Sequence, residues 1–384
     1  MKVLMAVVSD LSTDARVRKQ ARTLREAGWD VEVIGFGRSP RACVSVEDEI
    51  TYRTYYLPSS GALARPLRLM LIGFSLLRAS VAILRSVADV YETHNMHLSL
   101  PIVLRARLFR VPVVYDAHEI EGIRHQGVVR WLVRGYERWL WRNTAVHITT
   151  NLSRAEHLRN AYGGSLPVVL NNFPRKPTGD VQPLNLRGRL GISAESPILI
   201  FQGGFYLKAR DFTTVAAALA SRPGWQWVLV GFGSDATVGT LRELIEDAGI
   251  TSRTHILPPV PVDDLLRYTA ECDAGVVPLN HGDPNNYLGD TNKLFEYLVA
   301  GLAVVGTDFP EVRRALLDNG VGPVGAVYDT GNADNFARAL DDVTQNLATY
   351  RKRAGRLRDQ FSWCAEEPKL LALFDTIAPP LPRA

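Results

Sequence analysis

A polar loop, a short helix and a buried strand follow one another in Gly289-Asp-Thr-Asn-Lys-Leu-Phe-Glu-Tyr-Leu-Val-Ala-Gly-Leu-Ala-Val-Val-Gly-Thr-Asp308. Four polar residues stand where the helix is predicted to begin: Asp290, Thr291, Asn292 and Lys293. Because a helix N-terminus presents free N–H groups and a partial positive charge, it suits a phosphate. Lys293 adds a full charge, and Glu296 offers a carboxylate to two ribose hydroxyls. Gly301 is predicted to end the helix in the left-handed conformation.

Two interpretations fit this segment equally. Phosphate donors beside a carboxylate that binds hydroxyls indicate a nucleotide-sugar site. The same cluster is also typical of an ordinary capped helix ahead of a sheet strand. The rest of the chain is needed to choose between them.

Short apolar strands alternate with helices along the chain. In the first half we predict a helix at residues 14–28 and strands at residues 2–8, 31–36, 90–93, 111–115 and 145–149. In the second half we predict strands at residues 198–201, 227–230, 254–256, 274–277 and 303–306. This alternation predicts an α/β fold whose parallel sheets are covered by helices on both faces.

The length and a change of composition predict two domains. A chain of 384 residues exceeds the usual size of a single core, and the Pro- and Gly-containing stretch at 171–197 is predicted to be a linker. We place the first domain at residues 1–175 and the second at 176–360. A helix at residues 362–377, within the segment 361–384, is expected to pack back onto the first domain. Two such sheets place a ligand in the cleft between them.

Composition and charge limit the class of protein. With 46% hydrophobic residues, the chain can bury sizeable cores. Cys43, Cys272 and Cys364 are far apart, which indicates a reducing compartment and no disulfide framework. Residues 1–180 carry a net charge of +9 and residues 181–384 a net charge of −5. This asymmetry predicts different partners for the two halves.

No targeting segment is predicted, because the apolar run at residues 3–8 is too short. The longer run at residues 69–84 is interrupted by Arg78 and flanked by Arg68 and Arg85, which disfavours a membrane-spanning helix. We interpret it as a core helix, with contact to a membrane surface as the alternative.

The segment at residues 130–142 is basic and contains four arginines spaced by four residues: Arg130, Arg134, Arg138 and Arg142. Aromatic residues lie between them: Trp131, Tyr136, Trp139 and Trp141. On a helix, the arginines form a row that drifts by about 40° per step. Such a helix can lie on an anionic membrane. The favoured interpretation is a solvated face whose arginines pair with acids, and an aromatic face in the core.

Polar residues follow the strands of the second half. Gly203 and Gly204 permit close approach of the backbone, and Lys208 and Arg210 can then clamp a diphosphate. The competing interpretation is a surface loop with two solvated cations. Gly231 opens a Gly-x-Gly turn after the next strand, which is weak evidence by itself.

Polar residues also follow the strands of the first half. His118 follows the strand at 111–115, where it can donate to a sugar hydroxyl or to a developing charge. The competing interpretation is a histidine bonded to a backbone carbonyl. Further candidates on the acceptor side are Asp14, Arg16, His94, Asn95 and Glu119. Acids near a helix N-terminus, such as Asp14, are often only caps.

Over nearly its whole length the chain resembles the retaining GT-B glycosyltransferases, specifically glycosyltransferase family 4. In the first half the resemblance rests on Asp14-Ala-Arg-Val17, Val114-Tyr-Asp-Ala-His-Glu119, Ile148-Thr-Thr-Asn-Leu-Ser153 and Val168-Val-Leu-Asn-Asn172. In the second half it rests on Gly203-Gly204 with Arg210, Val230-Gly-Phe-Gly-Ser234 and above all Asn292-Lys-Leu-Phe-Glu-Tyr-Leu-Val-Ala-Gly301. The implied fold is two Rossmann-like parallel-sheet domains facing each other across a cleft.

The resemblance also implies roles for single residues. Glu296 would hold the donor ribose, and either Lys208 or Arg210 would bind the diphosphate. The loop from Gly289 to Asn292 would lie near the donor sugar and phosphate, and His118 near the reacting sugar. The base would be flanked by Val260 and Leu279.

One position departs from the family pattern. The family often has two glutamates separated by seven residues, and Leu288 occupies the first of these positions. Some members with a similar motif also lack it, so the departure does not indicate an inactive protein. It leaves open which group engages the donor sugar.

These observations predict a hexosyltransferase-type enzyme that moves a sugar from a nucleotide-diphospho-sugar, of UDP or GDP type, to an acceptor hydroxyl. The family implies retention of the anomeric configuration. Because Lys208, Arg210 and helix N-termini can stabilise the departing diphosphate, neither a metal ion nor another cofactor is expected. The predicted partners are a nucleotide sugar and an acceptor that is anionic or membrane-associated, without nucleic acid. The predicted location is cytoplasmic, with the inner membrane surface as an alternative.

Three other functions were weighed against this one. A nucleotide-sugar epimerase of the same fold would convert the donor without an acceptor. A catalytically silent homologue would bind nucleotide sugar without turnover, and Leu288 alone favours it. A dinucleotide-dependent dehydrogenase is disfavoured because no Gly-x-Gly-x-x-Gly follows the first strand.

Overall fold

The computed structural model describes residues 1–58, 64–176 and 184–378. They form two compact units, one of Met1–Asn172 with Glu366–Ala384 and one of Phe173–Ala365. The predicted domain boundaries, at 175/176 and 360/361, differ from these divisions by three and five residues. Part of the predicted linker, residues 177–183, lies outside the described residues.

The first unit is built on an eight-stranded sheet in the order β3-β4-β2-β1-β5-β6-β7-β8. Its strands are β1 (Lys2–Asp10), β2 (Asp30–Gly37), β3 (Cys43–Glu47), β4 (Ile50–Tyr56), β5 (Val90–His94), β6 (Val113–Ala117), β7 (Val146–Thr149) and β8 (Val168–Val169). All neighbouring strands are parallel except β3 and β4, which are antiparallel. The carboxyl ends of β1, β5, β6 and β7 therefore meet at one edge.

The hairpin of β3 and β4 was absent from the sequence-based prediction. Its two-residue turn consists of Asp48 and Glu49, both with positive φ, at 50° and 59°. Two left-handed residues are the geometry that joins twisted antiparallel strands tightly. Such a turn usually contains glycine, and the lack of one here explains why the sequence did not reveal the hairpin.

The helices of the first unit are α1 (Ala15–Glu26), α2 (Arg65–Arg85), α3 (Ser99–Phe109), α4 (Glu121–Arg124), α5 (Gly127–Arg142) and α6 (Leu152–Tyr162). Asp14 caps α1, as predicted, by accepting a hydrogen bond from the Val17 amide at 3.2 Å. Gly28 follows the helix with φ +89°.

The interpretation of residues 69–84 as a core helix is wrong. Within α2, only Ser75, Ala79 and Ile83 are buried, whereas Leu69, Met70 and other large apolar side chains are exposed. Among the described residues, α2 is the one helix that is long and apolar enough to cross a membrane by length and composition. The error arose because an apolar helix was assumed to be covered on all sides.

The interpretation of the basic helix was also partly wrong. Arg130, Arg134, Arg138 and Arg142 lie on α5 and are exposed, but none of them forms an ion pair with an acid among the described residues. Trp141 is buried, as expected of an aromatic core face, whereas Trp131 is 75% exposed.

The C-terminal helix, α15 (Glu367–Ile377), belongs to the first unit. It packs on α1, and Phe374 meets Trp29 edge to face at 5.4 Å between ring centroids. The helix starts five residues later than the predicted start at Ser362, because a short 3₁₀ turn, Trp363–Ala365, precedes it.

The second unit contains a six-stranded parallel sheet in the order β11-β10-β9-β12-β13-β14. Its strands are β9 (Ile198–Gly204), β10 (Gln226–Phe232), β11 (Thr254–Leu257), β12 (Ala274–Val277), β13 (Ala303–Thr307) and β14 (Gly325–Tyr328). Only β14 was absent from the prediction. Alternate residues of β9 enter opposite cores: Leu199 and Phe201 join one hydrophobic cluster, and Ile198 and Ile200 the other. The sheet is therefore buried on both faces.

The helices of the second unit are α7 (Leu186–Leu190), α8 (Phe212–Ala220), α9 (Asp235–Asp247), α10 (Val262–Ala270), α11 (Pro284–Tyr287), α12 (Asn292–Ala300), α13 (Pro310–Leu317) and α14 (Ala333–Leu357). The first of these, α7, falls inside the stretch predicted to be a linker. The packing of α12 on the sheet explains Gly275 of β12, because a Cβ there would lie 2.2 Å from the Tyr297 ring.

Candidate functional site

The side chain of the N-cap residue Thr291 does not cap α12. Thr291 is the residue at the N-cap, but its side chain accepts no hydrogen bond from the helix amides. Its Oγ1 instead accepts a hydrogen bond from Lys293 Nζ at 3.2 Å. Gly301 ends the helix in the left-handed conformation, with φ 80°, which confirms that prediction. Thr291 therefore does not supply the side-chain cap that an ordinary capped helix would have at this position.

Lys293 is buried, with 7% of its surface exposed. Its Nζ lies 5.1 Å from the centroid of the Phe201 ring, and the lysine forms no ion pair with any described residue. Burial and then the positive charge of Arg210 lower the pKa of Lys293 to about 7, while Glu296 acts in the opposite direction. A buried amine without a counter-charge is costly unless an anion joins it.

The structure separates the two cations that the sequence left as alternatives. Lys208 lies exposed in the turn after β9. Arg210 is half-buried, burial lowers the pKa of its guanidinium, and its Nε is buried without a hydrogen-bond partner. Because Arg210 also lowers the pKa of Lys293, these two residues, rather than Lys208, form the cationic cluster of the second unit.

Two glycines allow β9 to approach this cluster. Gly203 has φ +113°, a conformation that other residues rarely adopt, and a Cβ added to it would lie 3.8 Å from Lys293 Nζ. A Cβ at Gly231 would lie 1.9 Å from the carbonyl oxygen of Gly203. Since neither position can carry a side chain without distortion, the backbone at the end of β9 stays open beside Lys293. Gly204 follows at the end of the same strand.

Glu296 is held by a chain of side-chain hydrogen bonds. Gln202 Nε2 donates to Glu296 Oε2, and Thr269 Oγ1 donates to Gln202 Oε1 at 2.7 Å. Gln202 and Thr269 are both almost fully buried, so they fix the carboxylate in one orientation. Sequence reasoning missed both, although a glutamine in the apolar strand β9 was a signal.

The remaining donor-side candidates surround the start of α12 less directly. Gly289 is buried, Asp290 is half-buried and Asn292 is exposed. Val260 is half-buried in the loop after β11. Leu279 is only 2% exposed and lies in a hydrophobic core, so Val260 is the more accessible of the two apolar residues predicted to flank a base.

Asp116 of β6 organises the polar cluster of the first unit. It is fully buried and accepts hydrogen bonds from Arg16 Nε at 2.9 Å, Arg16 Nη2 at 2.8 Å and Gln20 Nε2 at 2.7 Å. Burial alone would raise the pKa of Asp116, but Arg16 and His118 outweigh it and hold this pKa well below the ordinary value. Asp116 is therefore a permanent anion.

Two histidines complete this cluster. His94 Nδ1 lies 3.2 Å from Asp116 Oδ2, and His118 Nε2 lies 3.3 Å from the same oxygen. The two ring nitrogens are 3.1 Å apart. His118 is not bonded to a backbone carbonyl among the described residues, so its ring orientation is set by Asp116 and His94. With 18% of its side chain exposed, His118 can present Nδ1 to a ligand.

Glu92 of β5 lies behind the histidines. It is fully buried, and neither carboxylate oxygen has a hydrogen-bond partner among the described residues. Its Oε1 is 3.8 Å from His94 Nε2. Burial raises the pKa of Glu92 to about 7, while His94 lowers it by a smaller amount and the negative charge of Asp116 raises it further. Sequence reasoning did not identify Glu92 as a site residue, because it lies within a strand rather than after one.

The other acceptor-side candidates form hydrogen bonds and ion pairs within the first unit. The Arg16 guanidinium is occupied by Asp116 and the Leu170 carbonyl. Asn95 Oδ1 accepts from the His118 amide at 3.1 Å, and Glu119 pairs with Arg124 at 2.6 Å. Asp14 caps α1, as described above. Arg154, missed in the sequence, donates through Nη1 to the His118 carbonyl.

His94, Asp116 and His118 offer three ligand atoms within 4.8 Å of one another, a spacing that a metal ion could use. Both oxygens of Asp116 already accept hydrogen bonds from Arg16. A cation there would compete with the guanidinium for the carboxylate. The cluster therefore fits a hydrogen-bonded anion better than a metal centre.

Two family descriptions match consecutive parts of the chain. Residues 13–172 match the Glycosyl transferase 4-like domain, and residues 196–346 match Glycosyl transferases group 1. The two matches together span most of the sequence.

Characterised relatives are moderately similar. The lipopolysaccharide core biosynthesis glycosyltransferase LpsE of Rhizobium meliloti is 28% identical over 188 residues, which are 49% of this chain and 50% of that protein. A phosphatidyl-myo-inositol mannosyltransferase of Mycolicibacterium smegmatis is 24% identical over 385 residues, which cover 95% of this chain and 90% of that protein. The first match thus spans half of the relative's length, and the second spans nearly all of it.

Solved structures share the fold over 98% of this chain. Sucrose-phosphate synthase of Thermosynechococcus elongatus has a TM-score of 0.78 at 16% identity, over 98% of that chain. Anabaena HepE in complex with UDP-glucose has a TM-score of 0.71 at 17% identity, over all of that chain. A putative UDP-N-acetylglucosamine 2-epimerase of Listeria monocytogenes has a lower TM-score of 0.62 at 12% identity, over 96% of that chain. These likenesses confirm the predicted fold class.

Proposed function

Because the chain belongs to the glycosyltransferases with a 4-like first domain and a group 1 second domain, we propose that it transfers a sugar from a nucleotide-diphospho-sugar to an acceptor hydroxyl. Retention of the anomeric configuration is part of the proposal. In it, the second unit binds the donor, and the first unit contributes His118 to the reacting sugar.

One observation carries the assignment of the donor: Lys293 is buried, Arg210 is half-buried, and neither forms an ion pair with an acid in the part of the chain that the structure describes. A diphosphate would supply the missing negative charge. It would also lie at the start of α12, where Thr291 provides no side-chain cap and the helix dipole favours an anion. When the sugar leaves, charge develops on the diphosphate, and these groups are already oriented toward it.

Glu296 is proposed to bind the donor ribose. Its carboxylate is oriented by Gln202 and Thr269, and a fixed carboxylate can accept hydrogen bonds from two vicinal hydroxyls. The UDP-glucose complex of the structurally similar Anabaena protein supports a uridine nucleotide as the first donor to test.

His118 is proposed to contact the reacting sugar through Nδ1. In this proposal Asp116 accepts a hydrogen bond from Nε2–H, which leaves Nδ1 as an acceptor in the neutral ring and as a donor in the protonated ring. Either form can bond to a sugar hydroxyl. The backbone on both sides of the ring is held by Asn95 and Arg154.

We infer that the reaction needs no metal ion, because Lys293 and Arg210 provide the positive charge that a metal would otherwise bring to the diphosphate. Turnover should be unchanged by a chelator. We also infer a cytoplasmic location, which is supported by three free cysteines, of which Cys272 is buried and Cys43 and Cys364 are exposed.

The test is binding of UDP, GDP, dTDP and ADP sugars and of NAD, measured by thermal stabilisation and calorimetry. One nucleotide family should bind, and Glu296→Gln should weaken that binding. Glu311→Gln is the matched control, because Glu311 is also mostly buried on a helix of the second unit but pairs with Arg314. Binding of NAD alone, or equal binding by Glu296→Gln and wild type, would contradict the assignment.

Product analysis tests the reaction itself. Nuclear magnetic resonance of the glycosylated product should show the anomeric configuration of the donor. A sugar nucleotide altered at one carbon without any acceptor would indicate the epimerase instead, and binding without any turnover would indicate the silent homologue. No contact in the described residues favours either alternative over transfer.

A further inference from the structure

Three neighbouring helices of the first unit, α2, α3 and α5, present a large apolar surface, which we call the three-helix face. α3 packs against both α2 and α5. The exposed apolar side chains on α2 are Leu67, Leu69, Met70, Phe74, Leu77, Val81 and Leu84. Those on α3 and α5 are Leu100, Leu104, Leu108, Phe109, Val128, Val129, Trp131 and Leu132. An exposed patch of this extent marks an interaction surface.

The charges on this face have one sign. Neither α2 nor α3 contains an acidic residue, while α2 carries four arginines and α3 carries two. The one acid of α5, Glu137, is fully buried and accepts hydrogen bonds from Tyr115 and Tyr162. The arginines of α5 therefore remain without acidic partners on the face. The partner must consequently offer both apolar material and negative charge.

An anionic lipid surface meets both requirements. We propose that the three-helix face docks on a bilayer that contains anionic lipids, with α2 lying in the plane of the interface. Its apolar side chains enter the boundary between headgroups and acyl chains, and the arginines contact lipid phosphates.

Other occupants fit the face less well. A second copy of this chain would bring arginines against arginines. A single partner helix, about 10 Å wide, would cover only one of three adjacent helices. Insertion of α2 across the bilayer would remove Ala79 and Ile83 from the core cluster that they share with Leu4 and Ile34.

A cavity lies among the three helices that are proposed to contact the membrane. It has a volume of about 420 Å³ and is lined by Ser80 of α2, Leu100 of α3, and Val133 and Tyr136 of α5. The cavity thus opens among the docking helices, and His97, which follows β5, also lines it. An acceptor held in the membrane would meet this unit without leaving the lipid.

The experiment is vesicle flotation with the full chain. Vesicles of phosphatidylcholine alone are compared with vesicles of equal parts phosphatidylcholine and phosphatidylglycerol. Wild type should float with the anionic vesicles only. The variant Leu69→Ser/Met70→Ser/Phe74→Ser/Leu77→Ser should lose about a hundredfold or more in partitioning. The substitutions Arg130→Gln and Arg138→Gln each remove one positive charge, and each should weaken binding to anionic vesicles about fivefold.

The matched control is Val44→Ser/Val46→Ser, which changes exposed apolar residues on β3, outside the three helices. It should bind vesicles like wild type, and all variants should keep wild-type circular dichroism because the altered side chains are exposed. Nucleotide binding should also be unchanged, so failure here is distinguishable from failure of the proposed donor site.

Three results would overturn the proposal. They are equal flotation with neutral and anionic vesicles, no flotation at all, and wild-type flotation of the α2 variant. Dissociation of a dimer by the α2 variant in sedimentation velocity would assign the face to a second copy and would also overturn it.

Discussion

The two units differ in whether a buried cation is paired with a carboxylate. In the first unit, Arg16 is 3% exposed and holds Asp116 through two hydrogen bonds. In the second unit, Lys293 is almost as deeply buried, but no described carboxylate forms an ion pair with it. The first arrangement is complete without a ligand, whereas the second lacks the negative charge that a bound anion would supply. Burial of a charge therefore does not by itself identify a binding site, whereas a buried cation without a carboxylate partner is a candidate for one.

The largest effect should come from breaking the compensated pair. Asp116→Asn leaves Arg16 buried without a counter-charge, and we expect the free energy of unfolding to fall by about 3–5 kcal/mol. Denaturation in urea measures this. The double variant Asp116→Asn/Arg16→Met removes both charges and should recover most of the loss. A fall of less than about 1 kcal/mol in the free energy of unfolding of Asp116→Asn would show that the Arg16–Asp116 pair does not stabilise the first unit.

Removing the uncompensated cation should act on binding rather than on folding. Lys293→Met should weaken nucleotide binding by about 2–3 kcal/mol, or about a hundredfold in Kd, and should not destabilise the ligand-free protein. Calorimetry and urea denaturation measure the two quantities. Lys19→Met is the control, since Lys19 is also buried but bonds to Asn172 in the first unit. If Lys293→Met lowered the free energy of unfolding and left nucleotide binding unchanged, Lys293 would stabilise the fold rather than bind the nucleotide.

The pH dependence of stability should differ in sign between the units. The pKa of Lys293 is about 7, below its ordinary 10.5, so the unfolded chain binds more protons between these values and stability rises with pH there. The pKa of Glu92 is about 7, above its ordinary 4.5. The stability from protonated Glu92 is fully present below about pH 4.5 and is lost as the pH rises to about 7.

Each slope should approach about 1.4 kcal/mol per pH unit within its window. Free energies of unfolding measured from about pH 5 to about pH 9 should show that Glu92→Gln abolishes the fall below pH 7. Lys293→Met should abolish the rise above it. Parallel curves for wild type and both variants would mean that neither group titrates as its burial indicates.

The smallest effect should come from the residues that orient Glu296. Thr269→Val removes the hydroxyl that bonds to Gln202, and we expect a loss of about 1 kcal/mol in nucleotide binding, or about fivefold in Kd. Thr254→Val is the control, because the hydroxyls of Thr254 and Thr269 each lie within hydrogen-bond distance of the backbone carbonyl four residues earlier, but Thr254 lies on β11 and has no bond to Gln202. Equal effects of the two substitutions would remove Thr269 from the site.

Features set by local chemistry could be predicted from the sequence. Ten of the fourteen described strands, the cap at Asp14 and the left-handed end of α12 at Gly301 all follow from neighbouring residues. The position of Lys293 at the start of that helix follows from the same motif. These predictions depend on contacts within about one turn of helix or one strand.

Features set by distant contacts could not be predicted. Arg16 and Asp116 are 100 residues apart, and Gln202 and Glu296 are 94 apart, so no local pattern joins them. The choice of Arg210 over Lys208 depends on which side chain the turn after β9 directs inward. The exposure of α2 depends on which other elements pack against it. Neither the composition of the helix nor the spacing of its apolar residues predicts those contacts.

The position of α15 decides how the units can be exchanged or made separately. The second unit is one continuous segment, Phe173–Ala365, which suits transplantation as a single cassette. The first unit is assembled from two segments, and Asn171 bonds to Glu366 across that division. A gene fragment that ends at Asn172 would leave Trp29 without Phe374. Recombination between relatives at the single junction after Asn172 would therefore exchange one helix of the first unit together with the whole second unit.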